Sequence, residues 1–182
     1  MTMESHRVSV PPATFGAMPV IRTERLSLRP VTAADLATVL AVQGDPAAAR
    51  FRPSGPADAA ECARDLRAWT AHWDEHGFGY WVVEHGGEPV GLGGVQHSEF
   101  DGARYLNLYY RFRPPVWGKG FAPEMARAAV DLAAARAAHL PVWIVTTVDN
   151  EPARRVADKL GFREFRQAEY HGALSRFYTS AV

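Results

Sequence analysis

One cysteine, Cys62, stands alone in 182 residues. It has no partner for an intrachain disulfide and cannot build a cysteine-based metal cluster, which fits a reducing compartment. Net charge is missing too: 20 basic and 20 acidic residues cancel, so composition argues for neither a nucleic-acid nor a membrane-surface partner. No apolar run approaches the roughly 20 residues needed to cross a bilayer. Residues 1–20 lack the apolar core of a secretory signal, so a cytoplasmic protein is expected. No Gly-Lys-Ser/Thr phosphate motif follows the glycine-rich loop described below, which excludes a nucleotide hydrolase of that kind. There is no internal repeat and no sign of a second domain. No metal is expected.

What is present is globular. Hydrophobic residues make up 47% of the chain and charged ones 22%, enough to bury a core in one domain of ordinary size. Residues 1–20 hold Pro11, Pro12, Gly16 and Pro19 without a period and read as a loosely held tail, leaving 21–182 as a single domain. The most informative stretch runs from Arg111 to Ala122, Arg-Phe-Arg-Pro-Pro-Val-Trp-Gly-Lys-Gly-Phe-Ala. A strand predicted over Tyr105–Phe112 precedes it, and a helix predicted from Phe121 to about His139 follows. Glycine lets a backbone approach a ligand closely. The first amides of a helix lack intrahelical acceptors and favour an anion. Gly118 and Gly120 at that junction are read as a pyrophosphate cradle, with an ordinary tight turn as the alternative.

The remaining pattern is mixed α/β, with about six or seven strands and about four helices. Leucines alternate with polar residues over Arg25–Arg29, a first strand. Thr32 with Asp35, and Asp58 with Glu61, resemble capping boxes. The first would start a helix burying Leu36, Val39 and Leu40. The second would start one burying Cys62, Leu66, Trp69 and Trp73. Tyr80–Glu84 and Pro89–Val95 form a hairpin around His85–Glu88, with Gly91, Gly93 and Gly94 marking a bulge or a close approach. The helix after Gly120 would bury Phe121, Met125, Ala128, Leu132 and Ala135. Val142–Val148 reads as a strand buried on both faces. Asn150 caps a short helix that Gly161 ends, and Phe162–Tyr170 and Leu174–Thr179 are the last strands.

Four segments together resemble the acyl-CoA-dependent N-acetyltransferases of the GNAT superfamily, most of all the RimJ/RimL-like ribosomal-protein N-terminal acetyltransferases. They are Arg22–Arg29, Gly77–Val83, Trp117–Glu124, and Asn150–Ala153 with Lys159–Phe162. The resemblance spans nearly all of residues 21–180. It implies a mostly antiparallel sheet with a splayed central strand pair and a bacterial, cytoplasmic enzyme that uses acetyl-CoA as cosubstrate. A primary amine, whether a protein N-terminus, an amino acid or a small amine, is the implied acceptor, and a homodimer is left open. It further implies that free backbone groups of Tyr110, Arg111 and Phe112 bind the pantetheine arm. The backbone of Gly118, Lys119, Gly120, Phe121 and Ala122 would hold the pyrophosphate. Asn150 either bonds pantetheine or simply caps its helix. Arg154 and Arg155 either reach phosphate or face solvent.

Acetyl transfer needs a route for the amine proton, a donor for the oxyanion and a proton for the leaving thiolate. A backbone N–H near Leu108 or Tyr110 is the expected oxyanion donor. The subgroup commonly has Glu where Asn107 stands and often Ser where Ala153 stands, and the Gln/Arg that opens the wider superfamily's loop motif is Pro115 here. Asn107, Glu99 and Tyr170 are therefore the candidate catalytic residues, with His97, His171 and Tyr178 behind them. The alternative function is a catalytically weak acyl-CoA sensor or interaction module.

Overall fold

The computed structural model describes residues 20–180. The tail expected over residues 1–20 lies outside them except for Val20. In chain order the elements are β1 (Ile21–Arg22), β2 (Ser27–Pro30), α1 (Leu36–Gln43), α2 (Ala59–His76), β3 (Tyr80–His85), β4 (Glu88–Phe100), β5 (Ala103–Phe112), α3 (Phe121–Arg136), β6 (Val142–Thr147), α4 (Glu151–Lys159), β7 (Phe162–Tyr170) and β8 (Ala173–Ser180). Eight strands, rather than six or seven, make one sheet in the order β1-β2-β3-β4-β5-β6-β8-β7. The extra strand is β1, whose two residues are too few to show alternation.

Three hairpins close through two-residue turns at positive φ, namely Gly86–Gly87, Asp101–Gly102 and His171–Gly172. That backbone twist matches the twist of paired strands. The Asp101–Gly102 turn is why β4 runs on to Phe100. His97 and Glu99, which lie between the strands expected at Pro89–Val95 and Tyr105–Phe112, are paired strand residues opposite Leu106 and Arg104.

Every neighbouring pair of strands is antiparallel except β5 and β6. Those two pair only at Leu106–Val142 and Asn107–Trp143 before they diverge. The divergence splits the sheet in its middle. It also corrects the expectation for the Val142 strand: Val142, Trp143 and Ile144 are buried, whereas Val145, Thr146 and Thr147 are half-exposed along the gap.

Helices cover both faces of the sheet. Tyr109 meets Trp69 of α2 at 6.0 Å between ring centroids, while the hydroxyl of its neighbour Tyr110 donates to the Ala153 carbonyl on α4. Adjacent strand residues point to opposite faces, so α2 and α4 lie on opposite sides. The α2 stripe is as the spacing predicts: Cys62, Leu66, Trp69 and Trp73 are all buried, and Phe78 and Trp81 join them. Both halves of the Asp58–Glu61 capping box form.

The α1 stripe is rotated from expectation and the α3 stripe is broader than expected. On α1 the buried side chains are Val39, Val42 and Gln43, while Leu36 and Leu40 are each 38% exposed. Asp35 ends a 3-10 turn, Ala33–Asp35, and is itself buried. Its carboxylate binds Arg29 of β2 through two bonds of 2.9 and 2.7 Å and also accepts from the Thr32 N–H. That anchor sets the rotation of the helix. On α3 Phe121, Met125 and Leu132 are buried as expected and Ala128 packs partly buried against the core, but Ala126, Ala129 and Ala133 are buried too and Ala135 is exposed. A run of alanines has too little contrast for periodicity to choose among them. The close approaches expected at the β4 glycines are real: a Cβ on Gly93 would lie 2.4 Å from the Met125 Cε of α3. The expected bulge is there too: Val83 pairs with Gly91 and Glu84 with Pro89, which leaves Val90 as the extra residue beside Gly91.

Candidate active site

The gap between β5 and β6 opens into one cleft of about 1180 Å³ that passes through the sheet. On the α3–α4 side it is lined by Gly118, Gly120, Phe121, Ala122 and Asn150. On the α1–α2 side it is lined by Asn107, Tyr109, Asp65, Tyr170 and the segment Arg50–Ser54. Among the described residues, five basic ones, Arg50, Arg52, Arg111, Arg155 and Lys159, line it against a single carboxylate, Asp65. The field in the cleft therefore favours an anionic ligand.

The α3 end is built for phosphate. Gly118 and Gly120 sit at φ 77° and 80°, a region that costs a side-chain-bearing residue roughly 1–2 kcal/mol. Among the described residues, the N–H groups of Gly118, Gly120, Phe121 and Ala122 donate to no backbone carbonyl. Unpaired amides at a helix start form an anion site. A clamp holds the loop in place. Glu124 accepts from the Thr23 hydroxyl at 2.6 Å and from Arg25 N–H and Nε at 2.8 and 2.7 Å, while Arg25 Nη1 donates to the Lys119 carbonyl at 2.7 Å. Burial pushes the Glu124 carboxyl up, but the bonds from Thr23 and Arg25 outweigh it and leave the group below its ordinary range. The Lys119 side chain is exposed and does not line the cleft; what the fold uses at Lys119 is its carbonyl.

The splayed edge departs from the expected residues at two positions, Arg111 and Phe112. Tyr110, Arg111 and Phe112 all line the cleft, but the Phe112 carbonyl already accepts from the Trp117 indole at 2.8 Å. Its acceptor is therefore engaged. Leu106 N–H reaches Pro141 on the β6 side and Arg113 N–H reaches Val90 of β4, so by alternation the Arg111 backbone faces β4, and Leu108 and Tyr110 carry the available edge. Asn150 lines the cleft and caps α4, its Oδ1 accepting from the Ala153 N–H at 3.1 Å and its Nδ2 donating to Thr146 at 2.8 Å. Arg155 faces the cleft, whereas Arg154 is drawn away by Glu151 at 2.6 Å.

On the opposite side, Asn107 Nδ2 donates to the Tyr80 hydroxyl at 2.9 Å. Tyr80 is buried beside Trp69 and Tyr109, at centroid distances of 5.3 and 5.1 Å. Burial raises the pKa of its hydroxyl well above the usual tyrosine value, so it stays neutral. Tyr170 lines the cleft and its hydroxyl meets that of Tyr105 at 3.3 Å. His171 lines it as well. Three candidates do not. Glu99 is exposed near the far end of β4, Tyr178 is buried in the core, and His97 contacts His72 of α2 instead. Trp69 and Trp73 are core, as expected.

Asp65, Tyr109 and the Arg50–Ser54 segment escaped the sequence reading. Asp65 had a usable signal, a carboxylate one helical turn before Trp69 on the edge of an apolar stripe. The Arg50–Ser54 segment is aperiodic and carries none.

Known proteins share this fold. The acetyltransferase (GNAT) domain family matches residues 25–163. A Bacillus subtilis protein, the uncharacterized YkkB, is 27% identical over 147 residues, covering 76% of this chain and 82% of its own. An acetyltransferase from Agrobacterium tumefaciens superposes with a TM-score of 0.77 at 23% identity, covering 95% and 100% of the two chains. RimL, the ribosomal L7/L12 alpha-N-protein acetyltransferase, was solved with coenzyme A and superposes at 0.70 with 18% identity, covering 92% and 98%. With the family matched over most of its length, the chain belongs to the GNAT family as an acetyl-CoA-dependent N-acetyltransferase.

Proposed function

We propose that the acceptor is a primary amine, a protein N-terminus, an amino acid or a small amine, which enters from the α1–α2 side of the cleft. The observation that carries this is Asp65, the single carboxylate among the described residues lining the cleft. Its Oδ2 makes only a long bond, 3.3 Å, to Gln43 Nε2, so it retains acceptor capacity for an ammonium group. In this reading the α3 amides and the surrounding basic side chains hold the pyrophosphate. The Leu108–Tyr110 edge holds the pantetheine arm like an added strand, which directs the thioester towards Asn107. There the deprotonated amine attacks the carbonyl carbon, the C–N bond forms and the C–S bond breaks. The amine proton passes to water ordered at Asn107, and the thiolate is protonated from solvent or by the Tyr170 hydroxyl. Glu99 lies outside this path and has no role in it.

The rival reading is an acyl-CoA-binding module of low turnover. It is favoured by one feature, the neutral amide of Asn107, which cannot take a proton at neutral pH. Thiol release from acetyl-CoA, measured against peptides with free N-termini, amino acids and polyamines, tests both. Calorimetric binding of acetyl-CoA with amine-dependent thiol release supports transfer to a primary amine. Binding without release from any amine supports the module.

A further inference from the structure

Away from the cleft, three imidazoles converge where α2 meets β4. His72 and His76 are one turn apart on α2, so both rings lie on one helix face, and His97 comes across from β4. We propose that His72, His76 and His97 bind one divalent transition ion of the zinc class, cross-linking the end of α2 to β4. The inference does not depend on the acetyl-transfer reading.

The geometry suits such an ion. A ligand nitrogen from each of the three rings lies within 4.8 Å of the others. Tetrahedral zinc with Zn–N bonds of about 2.0–2.1 Å requires its ligand nitrogens to be roughly 3.3 Å apart. His72 Nε2 and His97 Nδ1 are already 3.1 Å apart. The His76 ring sits 4.4 Å from both of the other rings, centroid to centroid.

The outer contacts are also those of a ligand set. The Phe78 carbonyl lies 2.8 Å from His72 Nδ1, and an N–H donated there leaves Nε2 with its lone pair facing His97. Metal-binding histidines are commonly oriented by such a carbonyl. The Phe78 ring packs edge-on against His72 and His97 at 5.3 and 5.1 Å and shields one side. Glu75 stands 3.6 Å from His76 Nε2 and adds negative charge. One contact must be exchanged on binding: the His97 backbone N–H points at His72 Nε2 from 3.1 Å.

An all-imidazole set selects zinc, copper or nickel over magnesium or calcium, and water would complete the fourth position. None of the three histidines lines the acetyl-transfer cleft, so the ion would brace the fold. His97 is one residue along from Gln96, which pairs with Asn107, so the brace would sit behind the catalytic stretch of β5.

The test uses the full chain, stripped with a chelator and dialysed. It is titrated with zinc against a chromophoric competitor and separately with cobalt(II), and its melting temperature is read with and without zinc. Wild type is compared with His76→Ala, which removes an exposed ring, and with His97→Gln. The expected result is one ion per chain, a tetrahedral cobalt(II) spectrum and a zinc-dependent rise in melting temperature. Each variant should lose at least about tenfold in affinity while its metal-free circular dichroism matches wild type. Magnesium should not substitute. Absence of stoichiometric binding by wild type, or equal binding by both variants, overturns the site.

Discussion

At the scale of single residues, Asn107 and Gly120 carry the sharpest expectations. Asn107 holds the Tyr80 hydroxyl with its amide N–H, which leaves its oxygen for the amine or a water. Asn107→Ala should lower kcat by about tenfold and leave acetyl-CoA affinity nearly unchanged. It should also cost about 1 kcal/mol of stability as Tyr80 loses a partner. Asn107→Glu should keep or raise turnover, since a carboxylate there can accept the amine proton. Steady-state kinetics on both variants, normalised to folded protein by melting curves, decides the matter. A kinetically silent Asn107→Ala would leave Asn107 as packing and move attention to Asp65 and Tyr170. Gly120→Val tests the other end. A Cβ there would meet only Arg25 Nη2, at 3.3 Å, so the fold has room, but φ 80° strains a β-branched residue and its methyls occupy the phosphate space. Acetyl-CoA affinity by calorimetry should fall at least about tenfold. Unchanged affinity would remove the cradle from the mechanism.

At the scale of elements, the Arg29–Asp35 link decides how α1 sits on the sheet. Burial pushes the Asp35 carboxyl up, but the Arg29 and Thr32 hydrogen bonds and the Arg29 charge outweigh it, and the net result is below the ordinary range. The folded form therefore binds that proton less readily than the unfolded chain does. The sign follows from linkage: the stabilisation is complete above the unfolded value of about 3.9 and is lost as pH falls through the lower folded value. Asp35→Asn should cost about 2 kcal/mol at neutral pH. That is near the low end for a broken pair, because Arg29 keeps a second partner in Glu84 at 2.7 Å. The wild-type advantage in urea midpoint should shrink between pH 4 and lower pH. A constant difference down to pH 3 would show that Asp35 acts by shape alone.

For the whole molecule, the central fact is a sheet that opens along its middle. The long β4–β5 ladder runs the full length of β5, while β5 and β6 share two residue pairs. The free edge beyond Asn107 is where a ligand can complete the sheet. Acetyl-CoA should therefore slow exchange of the Leu108 and Tyr110 amides and of those at the α3 N-terminus, and leave the β7–β8 hairpin almost unchanged. Hydrogen-exchange mass spectrometry with and without ligand reads this directly. Protection confined to α3 would mean that the pantetheine arm does not add to the β5 edge.

Local chemistry was legible in the chain because its causes are local. The capping pair Asp58–Glu61, the α2 stripe, the Asn150 cap and the glycine loop each depend on residues within a few positions of one another. The Asp101–Gly102 hairpin was equally local, and its dipeptide is a strong turn signal that would have put Glu99 on a strand. What needed tertiary structure were facts about rotation and convergence. The face of α1 is set by a carboxylate bound to another strand, and the face of α3 by packing among alanines that all look alike. Asp65 and the Arg50–Ser54 segment join Asn107 in one cleft only because the sheet splits there. His72 and His76 show their helical spacing in the sequence, but nothing along the chain brings His97 to them from 21 positions beyond His76. Hydrogen bonds and turns between near neighbours are written in order along the chain, whereas a site is a coincidence of distant side chains, and only the packed sheet and helices bring those together.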